Sequence, residues 1–237
     1  MNHTAVLLEE TIDLLHVKEN GIYVDATLGR GGHARALISK LKNGHLYAFD
    51  KDKEALKESH DNLADVLDYV TFIHADFSDM KEKLSEYGIT SVDGVMMDLG
   101  VSSPQFDDTE RGFSYRFDAR LDMRMNSQQA LDAYEIINSY DEKELVRIFR
   151  EYGEERYASS IAKRICAERE EKPIVTTFEL VDLIKEALPQ KELHKKGHPA
   201  RKVFQALRIE VNDELGALEE GMKQALELLY VGGRCAI

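Results

Sequence analysis

Cysteine is scarce in this chain of 237 residues: Cys166 and Cys235 are the only two, and no Cys-x-x-Cys occurs. A disulfide scaffold and a zinc finger are thereby excluded, and a reducing cytoplasm is the natural setting. No apolar run approaches the roughly 18–20 residues that a membrane span needs, so no membrane partner is expected. The start, Met1-Asn2-His3-Thr4, lacks a basic stretch followed by an apolar one, so no signal peptide is expected. Positive charge is also in deficit: 31 Lys and Arg face 44 Asp and Glu, a formal net charge of −13. Taken whole, that balance argues against a nucleic-acid partner. What remains, 43% hydrophobic and 32% charged residues, is the composition of a globular protein. The length allows one large domain, or a domain carrying a sizeable insertion.

The first hundred residues alternate strand and helix signals. An amphipathic helix over His3–Leu15 precedes the apolar run Ile22–Asp25, which stops at a glycine cluster. Helical patterns near 33–41, 52–63 and 79–87 then separate the strand candidates His45–Asp50, Tyr69–Ile73 and Val92–Asp98. Strands spaced by helices of this length predict βαβ units and a parallel sheet. After Asp98 the rhythm breaks. Helical patterns follow in succession at 130–138, 142–152, 154–169 and 177–188, punctuated by Pro173, Pro189 and Pro199. A long helical stretch from Arg201 to Leu229, interrupted near Asp213–Gly216, leads to Gly232-Gly233, a glycine turn entering a fifth strand. The expected division is therefore 1–108 as the first part of an α/β core, 109–198 as a helical insertion that recognises substrate, and 199–237 as the second part of the core.

Charge is divided unevenly. Residues 1–108 hold 10 basic and 20 acidic residues, whereas residues 109–198 hold 16 and 18. The acidity thus belongs to the core. Lys191, Lys195, Lys196, Arg201 and Lys202, opposed by Glu192 alone, make a basic strip at the edge of the insertion, with His194 and His198 interleaved. The two histidines lack a third ligand nearby, so a basic loop is a better reading than a metal site. Arg111, Arg116, Arg120 and Arg124 with Phe113, Tyr115 and Phe117 form a basic and aromatic stretch that suits stacked bases and phosphates, or an inward-packed loop. Cys166 reads as core.

Two constellations carry chemistry. The first, Asp25-Ala26-Thr27-Leu28-Gly29-Arg30-Gly31-Gly32-His33, follows strand one and opens a helix. Glycines let backbone approach a ligand closely, and the helix start supplies free N–H donors. Asp50, at the tip of strand two, is placed to accept both hydroxyls of a ribose. The spacing is not G-x-G-x-x-G, and an acid precedes it. Carboxylates suit the sulfonium and ammonium of S-adenosylmethionine better than the pyrophosphate of a dinucleotide. His74-Ala75-Asp76-Phe77, after strand three, places Phe77 to pack on adenine, or simply in the core. The second constellation, Asp98-Leu99-Gly100-Val101-Ser102-Ser103-Pro104-Gln105, lies at the carboxyl end of strand four, where open α/β sheets line their ligand crevice. An acid there can hold an exocyclic amine for in-line attack on a methyl group. Asp98, Ser102 and Ser103 are the catalytic candidates.

Several long motifs resemble the bacterial RsmH/MraW family. They are Asn2–Glu10, the Gly-Arg-Gly-Gly-His run, Asp98–Gln105, Arg111–Ser114, Leu121–Met125, Tyr152–Arg156, His198–Arg201 and Phe204–Arg208. The resemblance covers essentially the whole chain. It implies a class I, Rossmann-like S-adenosylmethionine-dependent methyltransferase fold with a helical insertion domain. It also implies methylation of a cytosine N4 in the decoding region of small-subunit (16S) ribosomal RNA. The implied partners are 16S rRNA and the small ribosomal subunit, with no DNA and no membrane, and a homodimer stays open. Carried over residue by residue, the cofactor contacts fall on Gly31, Gly32, His33, Asp50, Phe77, Asp98 and Gln105, with no metal. Family members continue past strand five, so a C-terminal segment is expected to be missing here. Two other readings compete: an idle ribosome- or RNA-binding factor, and a nicotinamide-dependent Rossmann oxidoreductase.

Overall fold

A computed structural model describes residues 6–101, 106 and 108–237. The chain forms two compact units, residues 1–100 with 215–237 and residues 101–214. In the first, α1 (Leu8–Leu15), β1 (Ile22–Asp25), α2 (Gly32–Ile38), β2 (His45–Asp50), α3 (Lys53–Asn62), β3 (Val70–His74), α4 (Met80–Glu86) and β4 (Val92–Met96) alternate along the chain. The second holds α5 (Ala133–Ser139), α6 (Glu142–Glu151), α7 (Ala158–Glu171), α8 (Thr177–Ala187), the single turn α9 (Gln190–Leu193) and α10 (Arg201–Asn212). Then α11 (Glu214–Leu228) and β5 (Leu229–Ala236) return to the sheet. Among the described residues, no helix is long and apolar enough to cross a membrane.

The strands pair in parallel in the order β3-β2-β1-β4-β5. Both faces of this sheet are covered, which explains why its strands read as short continuous apolar runs. Side chains alternate between the faces. Tyr23, Leu46 and Ala48 pack with Leu15, Leu37 and Leu63 on one side. Val24, Phe49 and Val95 pack with Met80, Leu84, Ala225 and Leu228 on the other. The order reverses between β1 and β4, and this makes a crevice at their carboxyl ends. Asp25 is aligned with Ala48 on β2 and Met96 on β4, and Asp50 with His74 on β3, so the strand tips share one rim.

The helical unit has its own core, built from Ile136, Leu145, Phe149, Ile161, Ile165, Leu180, Ile184, Val203 and Leu207. Its helices begin where the sequence offers a cap. Asp132 accepts from the Glu135 amide and Asp141 from the Glu144 amide, each at 2.8 Å, and Thr176 with Glu179 closes a reciprocal capping box.

Two expectations need correction. The unit boundaries fall at 100/101 and 214/215 instead of 108/109 and 198/199. The reason is α10: Val203, Phe204, Leu207 and Val211 face the helical core, and the break comes only at Asp213, in left-handed conformation at φ 46°. Arg208 grips Glu214 across that break at 2.6 and 2.9 Å. The second concerns Gly232-Gly233, which lie inside β5 and do not precede it. Val92 is paired with Leu229 and Gly94 with Arg234, so β5 bulges between them, and Gly232 takes φ 86° there.

Candidate active site

The first loop is built by Asp25. This carboxylate is 2% exposed, and its Oδ1 accepts the Thr27 amide at 3.1 Å, a tight turn of the kind aspartate favours. Its Oδ2 is buried with no hydrogen-bond partner. Burial, opposed by the Thr27 bond and reinforced by the charges of Asp50 and Asp98, pushes Asp25 up to about 7. Beyond it the chain turns at Gly29 and Gly31, with φ 53° and 79°, and enters α2. A side chain at Gly31 would also press on Leu63, so the tight passage and the left-handed backbone both require glycine.

Asp50 ties the second strand tip to this loop. Its Oδ2 accepts the Gly29 amide and its Oδ1 the Asp52 amide, both at 2.9 Å. A carboxylate oxygen has two acceptor sites, so each retains one for a ligand hydroxyl. Burial raises Asp50 to about 6 against these two hydrogen bonds. Thr27, which motif reasoning passed over, joins the rim across the switch point: its Oγ1 accepts the Asp98 amide at 2.6 Å. The Asp-x-Thr turn was the available signal, but nothing local points to a partner 71 residues away.

The side chain of Asp98 is 54% exposed, and its Oδ2 lies 3.9 Å from His33 Nδ1. His33 Nε2 is 3.1 Å from the Val6 carbonyl, so the ring bridges α2 and the segment before α1. Asp25, Asp50, His33 and Asp98 therefore converge on one rim. Gly31 and Gly32 line it as the start of α2, whereas Ser102, Ser103 and Gln105 lie outside the described residues.

Phe77 is half-buried, and part of its ring packs within the protein. It sits in a short 3-10 turn after β3, capped by Asp76, with its ring against the backbone of Gly221 on α11. A methyl group at Gly221 would collide with that ring. We expect Gly221→Ala to cost about 1–3 kcal/mol through overpacking, read as a melting temperature lowered by roughly 3–10 °C. An unchanged melt would contradict the contact. Asp76 also pairs with Lys51 at 3.0 Å, which leaves this side of the rim neutralised while the Asp25 side stays acidic. Among the described residues, no three His, Cys, Asp or Glu side chains are arranged to hold a metal ion.

The basic and aromatic stretch resolves into mostly inward work. Arg111 donates to the Arg124 and Met125 carbonyls, Arg120 pairs with Asp132, Arg124 pairs with Asp122, and Phe113 is core. Only Arg116 and Phe117 keep exposed side chains without such partners.

Solved structures with similar folds include a candidate rRNA methylase from Clostridium thermocellum, at 28% identity over 43% of this chain and 54% of that one, TM-score 0.36. An S-adenosylmethionine-dependent O-methyltransferase from Thermotoga maritima matches at 22% identity over 41% and 37%, TM-score 0.35. An rRNA methylase from Streptococcus thermophilus matches at 20% identity over 51% and 71%, TM-score 0.33. The chain thus spans about half the length of the first of these, at 54%. A family model, that of the MraW methylase family, matches residues 1–237. This chain belongs to the MraW methylase family.

Proposed function

We propose that this protein transfers a methyl group from S-adenosylmethionine to the exocyclic N4 of a cytosine in the decoding region of small-subunit (16S) ribosomal RNA. The observation that carries the donor assignment is the orphaned, buried Oδ2 of Asp25 on a rim shared with Asp50 and Asp98. A carboxylate kept from water and left without a partner is costly unless a cation completes it. The donor supplies a methyl group activated by a positively charged sulfur. A dinucleotide would bring its pyrophosphate against the same carboxylates, which disfavours the oxidoreductase reading.

In this proposal Gly31, Gly32 and His33 seat the methionine end, Asp50 takes the ribose hydroxyls, Phe77 flanks the adenine, and Gln105 adds a cofactor contact. Asp98 accepts a hydrogen bond from the cytosine amine and turns its nitrogen toward the methyl group. Ser102 and Ser103 complete the acceptor loop. The nitrogen–carbon bond forms as the sulfur–carbon bond breaks, and the sulfur keeps that bonding pair. The amine loses its proton to water as it becomes acidic, so positioning is the main requirement. The acidic sheet unit holds the donor, and the helical unit takes the RNA.

The test is nucleoside mass spectrometry of small ribosomal subunits incubated with donor and protein. N4-methylcytosine is expected with the wild-type chain. Asp98→Ala should lower the rate about 100-fold or more, the scale of a lost orienting contact. No modified cytosine from the wild type, together with intact RNA binding, would favour the idle binding factor instead.

A further inference from the structure

The helical unit carries a group of cations that its own fold does not use. Tyr115 and His198 stack with ring centroids 4.2 Å apart and planes 8° from parallel. Tyr115 is fixed from behind by the edge of Phe204 in the helical core, and His198 Nδ1 accepts the Ala200 amide at 3.2 Å. Partial burial, with Lys185 and Arg116 nearby, holds His198 below the usual histidine range, so the ring is neutral near pH 7 and stacks as an aromatic. Arg116 lies near His198, and Lys196 and Arg201 flank His198 along the chain; all three are exposed, and among the described residues their side chains make no hydrogen bond or ion pair. Elsewhere in the same unit Arg147, Arg164 and Arg208 are each paired with glutamates. Of the neighbouring acids, Asp182 is taken by Lys185 and Glu192 by Lys195. Arg201 opens α10, where the helix dipole disfavours a cation, so stability gives no reason for its charge. Phe117, beside Arg116, is 43% exposed.

We propose that this surface, the Tyr115–His198 stack with Phe117 and the unpaired Arg116, Lys196 and Arg201, docks unpaired RNA of the substrate. The inference rests on the reading of the substrate as ribosomal RNA. The cations track phosphates, and exposed Phe117 with the half-buried Tyr115–His198 stack receives bases, the combination that single-stranded RNA requires. In a chain of net charge −13, a few unopposed cations decide where a polyanion settles.

The test is fluorescence anisotropy of the full chain with an end-labelled fragment of small-subunit rRNA over a series of salt concentrations. The triple variant Arg116→Gln, Lys196→Gln, Arg201→Gln should bind at least about tenfold more weakly at low salt. Its slope of log affinity against log salt should fall by about 2, since each phosphate contact in single-stranded RNA contributes about 0.7. His198→Ala should weaken binding about tenfold, and His198→Phe should restore it, as stacking requires. Donor affinity in the triple variant should equal that of the wild type. A wild-type salt slope in the triple variant overturns the surface and leaves the RNA substrate standing. Failure of the wild type to bind either the fragment or small ribosomal subunits overturns both.

Discussion

Replacing Asp50 by alanine is expected to weaken S-adenosylmethionine binding on the order of 100-fold, measured by calorimetry. Both oxygens of Asp50 are already oriented by backbone donors, Gly29 and Asp52 at 2.9 Å each, and a carboxylate oxygen has a second acceptor site beyond the one so used. Two hydrogen bonds from ribose hydroxyls to an ionised carboxylate are worth about 1.5–3 kcal/mol apiece. Losing them costs about 3 kcal/mol or more, or roughly two powers of ten. The substitution also frees the Gly29 amide and so loosens the loop that opens α2. The fold itself should hold, because burial already disfavours the charge of Asp50 and raises it to about 6. Donor affinity within threefold of the wild type, with an unchanged melting temperature, would remove Asp50 from the cofactor site.

The parts of this site legible in sequence are those encoded locally. Asp25, the glycines and Asp50 are each placed by a strand tip and the turn after it, so a short apolar run ending in Asp or Gly reveals them. The contacts that join those tips are not local. Thr27 receives the Asp98 amide only because the sheet sets β1 beside β4, a consequence of topology and not of neighbouring residues. Domain edges failed for a similar reason. The basic strip and Pro199 looked like a boundary, yet the apolar stripe of α10 is used by Leu145, Ile148 and Phe149 on α6.

The basic and aromatic stretch shows the limit most clearly. Arg111, Arg120 and Arg124 have the same composition as an RNA-binding loop, but a guanidinium serves a carbonyl or an aspartate equally well. Asp122 and Asp132 lie nearby to take them. Which cations remain unpaired is a property of the folded surface. Phe77 carries the same lesson, since only the structure sets Gly221 against its ring.

Asp25→Asn is expected to stabilise the protein without donor at pH 8 and to abolish a pH dependence of donor binding. Asp25 is raised to about 7 from an ordinary 3.8, chiefly by burial. The folded chain therefore holds a proton there that the unfolded chain has released, so stability falls as pH rises. This contribution is present in full below about pH 4 and is lost as pH passes through about 7; Asp50, raised to about 6, adds to the loss over the lower part of that window. A shift of about three pKa units corresponds to at most about 4 kcal/mol. The amide of asparagine keeps an acceptor for the Thr27 amide but leaves its own N–H₂ where Oδ2 has no partner, which returns about 1–3 kcal/mol. The balance is about 2 kcal/mol, a melting temperature roughly 5 °C higher than wild type at pH 8, with no such gain at pH 5. Donor binding has the opposite sign, because a cation is best met by ionised Asp25. Between pH 6 and 8 wild-type affinity for S-adenosylmethionine should rise about tenfold, with release of a proton on binding, while Asp25→Asn stays flat over that range. The demethylated product, whose sulfur is neutral, should gain less with pH. The other groups of the rim are common to both proteins, so the difference between them isolates Asp25. A wild-type affinity independent of pH, or a variant that retains the full rise, would mean that Asp25 does not face the donor.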